Sequence, residues 1–184
     1  MMAMTGLESV KNAMIKEYLK TSLSKEQHAL SQGPSYNLRL DGNPGTGKST
    51  LANIYGAFLV ELGVLPAGSA VECTTGSTLV SNRQALSAHL AAVKKAGGGV
   101  IFVDESYQLN PQIDRDGRQI LDQILVHAER LTSESIGVPL VWIFAGYQQH
   151  MEKLFEHNPG LKSRFPMHFK LDDFSDEELL AIFK

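Results

Sequence analysis

The stretch DGNPGTGKST (residues 41–50) decides the fold of this chain. A short apolar run, LRL at 38–40, precedes it and reads as a strand. After it, large apolar residues recur at helical spacing: Leu51, Ile54, Phe58, Leu59 and Leu62. The letters GNPGTGKS fit G-x-x-x-x-G-K-[ST], a phosphate-binding loop, in the strand-to-helix setting that this pattern requires. The alternative is a glycine-rich turn with a chance lysine.

The residue types of this loop suit a bound nucleotide. Gly42, Gly45 and Gly47 allow backbone conformations in which successive amide hydrogens turn inward around a phosphate. Lys48 would hold the β- and γ-phosphates, and the Ser49 hydroxyl would ligate magnesium. The predicted nucleotide-binding residues of the loop are Gly42, Asn43, Pro44, Gly45, Thr46, Gly47, Lys48, Ser49 and Thr50.

A second motif supplies carboxylates. The run VIFV at 100–103 is too uniformly apolar to be half exposed, and it predicts a central strand covered on both faces. Asp104 and Glu105 follow at its carboxyl end, where parallel sheets bind their ligands. Asp104 would hold magnesium through water, and Glu105 would be the general base for water attack on the γ-phosphate. A solvated strand end is the alternative.

Further strands and helices alternate along the chain. Apolar runs predict strands at 70–74, 139–144 and 165–171, and helical spacing predicts helices at 7–23, 83–96 and 120–131. Alternation of this kind predicts an α/β fold of the phosphate-loop NTPase type, with a parallel five-stranded sheet sandwiched between helices. Asp114–Gly117 is predicted to be a solvated turn.

The composition of the chain limits the partners and the compartment that we expect for it. The formal net charge of -3 and the pI near 6.1 argue against nonspecific nucleic-acid binding. The amino end shows neither a signal peptide nor a membrane span. The single cysteine, Cys73, excludes an internal disulfide, so we expect a reducing compartment, the cytoplasm or the nucleus. Cys73 is predicted to be a small buried strand residue.

Four segments occur in a distinctive order: GNPGTGKSTLANIYG, GGGVIFVDESYQL, VWIFAGY and EHNPGLKSRFP. With them the chain resembles the AAA+ ATPases of the CbxX/CfxQ branch, which includes the red-type Rubisco activases. The resemblance runs from Gly6 to the SDEELLAIF segment. It implies ATP and Mg²⁺ as ligands, and a ring, usually a hexamer, whose sites are completed by neighbouring subunits. The function expected is ATP hydrolysis in a protein-remodelling machine whose client stays unknown.

The same resemblance assigns further site residues. Arg164, in SRFP, falls where the family's arginine finger lies, and it would act on the γ-phosphate of the next subunit. With Glu105 and Lys48 it completes the expected catalytic set. Gly6 and Leu7 occupy the stretch that lies beside the adenine. The alternatives are a surface cation at Arg164 and an ordinary helix start at Leu7.

Some segments depart from the family pattern. Residues 74–89 lie where relatives carry a peptide-gripping pore loop, but the usual aromatic residue followed by glycine is missing. A nucleotide-dependent scaffold or switch with little or no hydrolysis is therefore the alternative function. Tyr147 lies where many family members place a polar sensor, and we assign it no role.

The resemblance also divides the chain. Residues 1–172 are the expected large nucleotide-binding subdomain with its leading helix, and 173–184 the start of a truncated helical lid. Ser175 and Glu178 would form a capping box at that start. A GTPase on the same loop should carry an N-K-x-D motif, which this sequence lacks. A kinase is not expected to pair Glu105 with NPGLKSRFP.

Overall fold

The computed structural model describes residues 12, 14–16, 35–132 and 134–177. In that part of the chain five parallel strands form one sheet in the order β2-β3-β4-β1-β5. The strands are β1 Leu38–Gly42, β2 Ala70–Thr75, β3 Gly99–Asp104, β4 Leu140–Gly146 and β5 Met167–Leu171. The parallel five-stranded α/β fold predicted from the sequence is confirmed.

Helices connect the strands. They are α1 Lys48–Glu61, α2 Gly76–Ser81, α3 Ala85–Lys95, α4 Arg115–His127, α5 Gln148–His157 and α6 Pro159–Arg164. A short 3-10 helix, Ser106–Leu109, begins one residue after the end of β3, with Glu105 between them. Helix α1 ends as its sequence predicts, because Gly63 has φ 74° and takes the left-handed position after the last turn.

Two hydrophobic cores cover the two faces of the sheet. Val100 and Phe102 point into the core that α1 closes, while Ile101 and Val103 point into the core under α3 to α6. Successive strand residues face opposite sides, so a strand buried on both faces must be apolar throughout. This explains the uninterrupted VIFV run, and Trp142 and Phe144 of β4 are likewise fully buried.

The register brings the carboxyl ends of all five strands to one edge of the sheet. Gly42 pairs with Leu171, Asp41 with Gly146, and Thr75 with Asp104. The phosphate loop leaves β1 at this edge, and Glu105 leaves β3 there. Strand β4 lies between β1 and β3, so its last residue, Gly146, separates the two motifs.

The prediction that Cys73 is buried is wrong. Cys73 is exposed, as is Val71 on the same face of β2. Strand β2 is at the edge of the sheet and pairs only with β3 among the described strands. Its alternate residues therefore lack the second covering layer that a central strand has.

One local prediction is also corrected. Asp114 does not sit in a solvated turn: its Oδ1 accepts a hydrogen bond from the Asp116 amide at 2.7 Å and caps the start of α4. The segment at 74–89, where relatives carry a pore loop, contains the short helix α2, which Thr75 caps by accepting a hydrogen bond from the Thr78 amide at 3.1 Å.

Part of the sequence prediction lies outside the described residues. Residues 12 and 14–16 are helical, and Met14 is buried in the core beside α1. Gly6, Leu7 and Glu178 are not described, nor is the chain after 177. No helix of the described chain is both long and apolar enough to cross a membrane.

Candidate nucleotide site

The glycines of the loop have two different tasks. Gly45 has φ 81° and Gly47 φ 84°, a left-handed conformation that side-chain-bearing residues rarely adopt. Gly42 does not take a positive φ and is needed for space. A Cβ atom there would lie 2.7 Å from Thr46 Oγ1 and 3.1 Å from the Leu171 carbonyl oxygen.

Helix α1 begins directly at the end of this loop. Gly47 occupies its N-cap position and provides no side chain to bond the first-turn amides. These amides point out of the helix end and, with the helix dipole, suit an anion. Ser49 and Thr50 lie exposed in this first turn.

The loop is closed by its own polar groups. Lys48 Nζ donates to the carbonyl oxygens of Gly42 at 3.0 Å and Asn43 at 2.8 Å. The buried Thr46 hydroxyl also donates to the Asn43 carbonyl, at 2.8 Å. The lysine ammonium group is thereby held over the loop, with its positive charge beside the exposed Pro44 and Gly45.

The two sequence motifs meet in one cleft of about 110 Å³. Its lining residues come from the loop, from the end of β3 and from the end of β4: Pro44, Lys48, Asp104, Glu105, Gly146 and Tyr147. The cleft therefore combines a cation from the loop with two carboxylates from a strand two places away in the sheet. Tyr147, which the sequence left without a role, also lines it.

Glu105 has an unusual backbone and a defined side-chain position. With φ 47° it is the one non-glycine residue of the described chain with positive φ. Its amide donates to Asp104 Oδ1 at 2.9 Å. Its carboxylate accepts from the Tyr107 hydroxyl at 3.1 Å and from Gln108 Nε2 at 2.9 Å. Strain of this kind is concentrated at functional positions.

A buried ionic cluster beneath the loop was not predicted. Arg39 Nε donates to Asp41 Oδ1 at 2.8 Å, and His168 Nε2 lies 2.9 Å from Asp41 Oδ2. Burial disfavours the ionised carboxyl, but the bonds from His168 and Arg39 outweigh it and lower the pKa of Asp41. Arg39 also stacks 4.8 Å from the Phe155 ring centroid. In the sequence, the polar residues at alternate positions 39 and 41 of the predicted strand were the signal that could have indicated this cluster.

Arg164 lies away from this cleft. Its Nε donates to the Leu125 carbonyl at 3.0 Å and its Nη1 to the Gly160 carbonyl at 3.2 Å, while Glu129 is 3.9 Å away. The side chain is 27% exposed. Arg164 therefore binds a carbonyl at the end of α4, and it is not among the residues that line the cleft of its own chain.

One further contact touches the loop. Asn43 Nδ2 donates to both carboxylate oxygens of Asp173, at 3.1 and 3.0 Å. Asp173 follows β5, so the segment predicted to lead into the lid begins beside the phosphate loop.

Comparison with known proteins agrees with this arrangement. Residues 38–173 match the family described as "ATPase family associated with various cellular activities (AAA)". The chain belongs to this family of ATPases.

Two individual relatives indicate which branch of the family the chain is similar to. The chain is 34% identical over 192 residues to Protein CfxQ of Xanthobacter flavus, across 97% of this chain and 57% of that protein. It is 33% identical over 192 residues to the chloroplastic ribulose bisphosphate carboxylase/oxygenase activase of Cyanidioschyzon merolae, across 97% and 61%. These similarities confirm the resemblance to the CbxX/CfxQ branch. The chain spans less than two thirds of either relative.

Among solved structures, a RuvB mutant of Thermotoga maritima superposes with a TM-score of 0.64 at 26% sequence identity. The alignment covers 97% of this chain and 50% of the RuvB chain.

Proposed function

We propose that this chain binds ATP with magnesium in the described cleft and hydrolyses it. The observation that carries the proposal is the meeting of Lys48, Asp104 and Glu105 beside the glycine loop. A cation and a helix end suit the phosphates, and a carboxylate at the far wall suits activation of water.

The donor set fits magnesium. Ser49 offers a hydroxyl oxygen in the first turn of α1, and Asp104 offers a carboxylate that lines the cleft. Hard oxygen ligands of this type are those that Mg²⁺ prefers. When bound, the ion would neutralise charge on the phosphate oxygens.

The residues of the chain would divide the work. Lys48 would exchange its bonds to the Gly42 and Asn43 carbonyls for bonds to phosphate oxygens, since both sets of acceptors lie at the loop. The loop amides and the start of α1 would hold the remaining phosphate charge. The Glu105 carboxylate would accept the proton of the attacking water.

We further propose that hydrolysis takes place in a ring, with Arg164 supplied by a neighbouring chain. The family resemblance supports this role, as does the distance of Arg164 from the cleft of its own chain. The output would be remodelling of a protein client, which is consistent with the description of the Cyanidioschyzon merolae relative as an activase. Residues 1–172 would form the nucleotide-binding subdomain and 173–184 the start of a lid.

One observation favours the second candidate, a nucleotide-dependent switch or scaffold. Leu79 is fully buried and Val80 partly buried in the segment where a pore loop would lie. Leu86 of the same segment is buried as well. The large apolar residues of that segment therefore pack into the core and leave little to grip a peptide.

ATP turnover per chain, measured against protein concentration with Glu105→Gln as the blank, tests the proposal. We expect specific activity to rise with concentration, because a shared site forms only on assembly. A flat activity above the blank favours the switch, and activity equal to the blank contradicts hydrolysis in this cleft.

A further inference from the structure

The side chain of Glu105 is held by two donors from the turn that follows it. Tyr107 bonds one carboxylate oxygen and Gln108 the other. Each carboxylate oxygen has two lone pairs, so a water molecule can still be bound by Glu105 while both donors stay in place. The two bonds therefore select one orientation of the carboxylate without blocking it.

The Tyr107 ring is itself fixed from several sides. Its centroid lies 4.9 Å from the His150 ring and 5.9 Å from the Tyr147 ring. It also covers Gly146 so closely that a Cβ atom there would lie 2.8 Å from Tyr107 Cδ1. The Tyr107 ring, whose hydroxyl bonds Glu105, therefore packs against the end of β4, next to the cleft.

We propose that Tyr107 is a positioning residue for the Glu105 carboxylate, assisted by Gln108. The inference rests on the proposed hydrolysis and deepens it, since it names what aims the general base. Tyr107 does not line the cleft itself. It acts through Glu105, and it ties the orientation of this carboxylate to the Gly146–Tyr147 end of β4.

The hydroxyl is suited to this task at every physiological pH. Burial, the hydrogen bond to Glu105 and the charge of that carboxylate raise the pKa of Tyr107 to about 12. The hydroxyl therefore keeps its proton and stays a donor. The left-handed backbone at Glu105 places the carboxylate back over the same turn, within reach of both donors.

Tyr107→Phe tests the proposal, because it keeps the ring contacts and removes the donor. We expect kcat to fall between about tenfold and a hundredfold, since a misplaced catalytic group loses rate on that order. KM for ATP should stay within about twofold, because the phosphate loop is untouched. Tyr55→Phe is the matched control: it removes a buried hydroxyl that bonds the Tyr36 carbonyl in the core, and it should leave kcat unchanged.

A spectroscopic readout keeps the test independent of turnover. In chain labelled with ¹³Cζ-tyrosine, the Tyr107 signal, assigned by its loss in Tyr107→Phe, should shift in Glu105→Gln. The Tyr55 signal should not move. This measures the contact whether or not the chain hydrolyses ATP.

The outcomes separate the two proposals. If the wild type turns over ATP no faster than Glu105→Gln, the proposed function is contradicted. The tyrosine signal then tests the contact between Tyr107 and Glu105 by itself. If the wild type hydrolyses ATP and Tyr107→Phe has the same kcat, the positioning role is overturned. A Tyr107 signal indifferent to Glu105→Gln overturns it as well.

Discussion

For single residues, the proposed ATP binding would depend on groups that exchange their present hydrogen bonds for bonds to the ligand. Lys48 Nζ donates hydrogen bonds to two backbone carbonyls of the loop. The amides of the same loop suit phosphate. Under the proposed function, the lysine therefore already lies where the phosphates would bind. Its bonds to neutral backbone carbonyls would be replaced by stronger bonds to phosphate oxygens, in which both partners are charged.

Lys48→Ala should weaken ATP binding between about tenfold and a hundredfold, the loss typical of a hydrogen bond to a charged group. Isothermal titration calorimetry measures the affinity. Lys95→Ala, which removes an exposed lysine at the end of α3, is the charge-matched control and should bind as the wild type does. Equal affinity in Lys48→Ala would contradict the assignment of the phosphate loop.

At the scale of elements, the strand ends that build the cleft are tied together from beneath. Arg39 and Asp41 lie on the same face of β1, and His168 comes from the neighbouring β5. Asp41 is fully buried and immediately precedes the loop. A buried carboxylate in this position joins two strands and stabilises the start of the phosphate loop, provided that its partners stay in place.

Asp41→Asn should lower the free energy of unfolding at pH 7 by about 3 kcal/mol, because it leaves the buried Arg39 without its carboxylate. Urea unfolding between pH 7 and pH 2 measures the effect. The folded pKa of Asp41 is lowered, so its stabilisation is complete above the ordinary value of 3.8 and is lost as the pH falls through the folded pKa.

The difference in stability between wild type and Asp41→Asn should therefore shrink below pH 4. A difference that stays constant down to pH 2 would show that the Asp41 charge contributes nothing.

At the scale of the whole molecule, the cleft and Arg164 lie in different parts of the chain. Arg164 caps the carbonyl end of α4, and its own carbonyl accepts from Ser35 Oγ and Asn37 Nδ2, both at 2.9 Å. A finger acting on a neighbour must be held firmly by its own subunit, and these contacts provide such support. Replacing the Arg164 side chain removes its bonds to the Leu125 and Gly160 carbonyls, so it affects stability as well as turnover.

Arg164→Lys keeps the positive charge but cannot reproduce the planar set of donors. We expect near-normal ATP affinity, with turnover reduced on the order of a hundredfold or more, as for other arginine fingers. Mixing this variant with Glu105→Gln subunits, whose fingers are intact, should restore part of the activity. Absence of rescue with folded, mixed subunits would contradict action between chains, and thermal unfolding of each variant controls for stability.

The sequence by itself determined the parts of this protein that depend on local spacing. GNPGTGKS needs a strand before it and a helix after it, and the VIFV run needs cover on both faces, so the parallel sheet followed from these short patterns. The alternation of strands and helices supplied the remaining order of elements. The errors fell where neighbours in space, and not in sequence, decide exposure, as at Cys73 on the edge strand.

Only the tertiary structure decided how the site is assembled. The strand order places β4 between the two motifs, which brings Gly146 and Tyr147 into the cleft and Gly146 against the Tyr107 ring. It also brings His168 to Asp41 across 127 residues of chain. No local sequence pattern specifies these contacts. They arise because strands that are far apart in sequence, at no regular spacing, pair in the sheet.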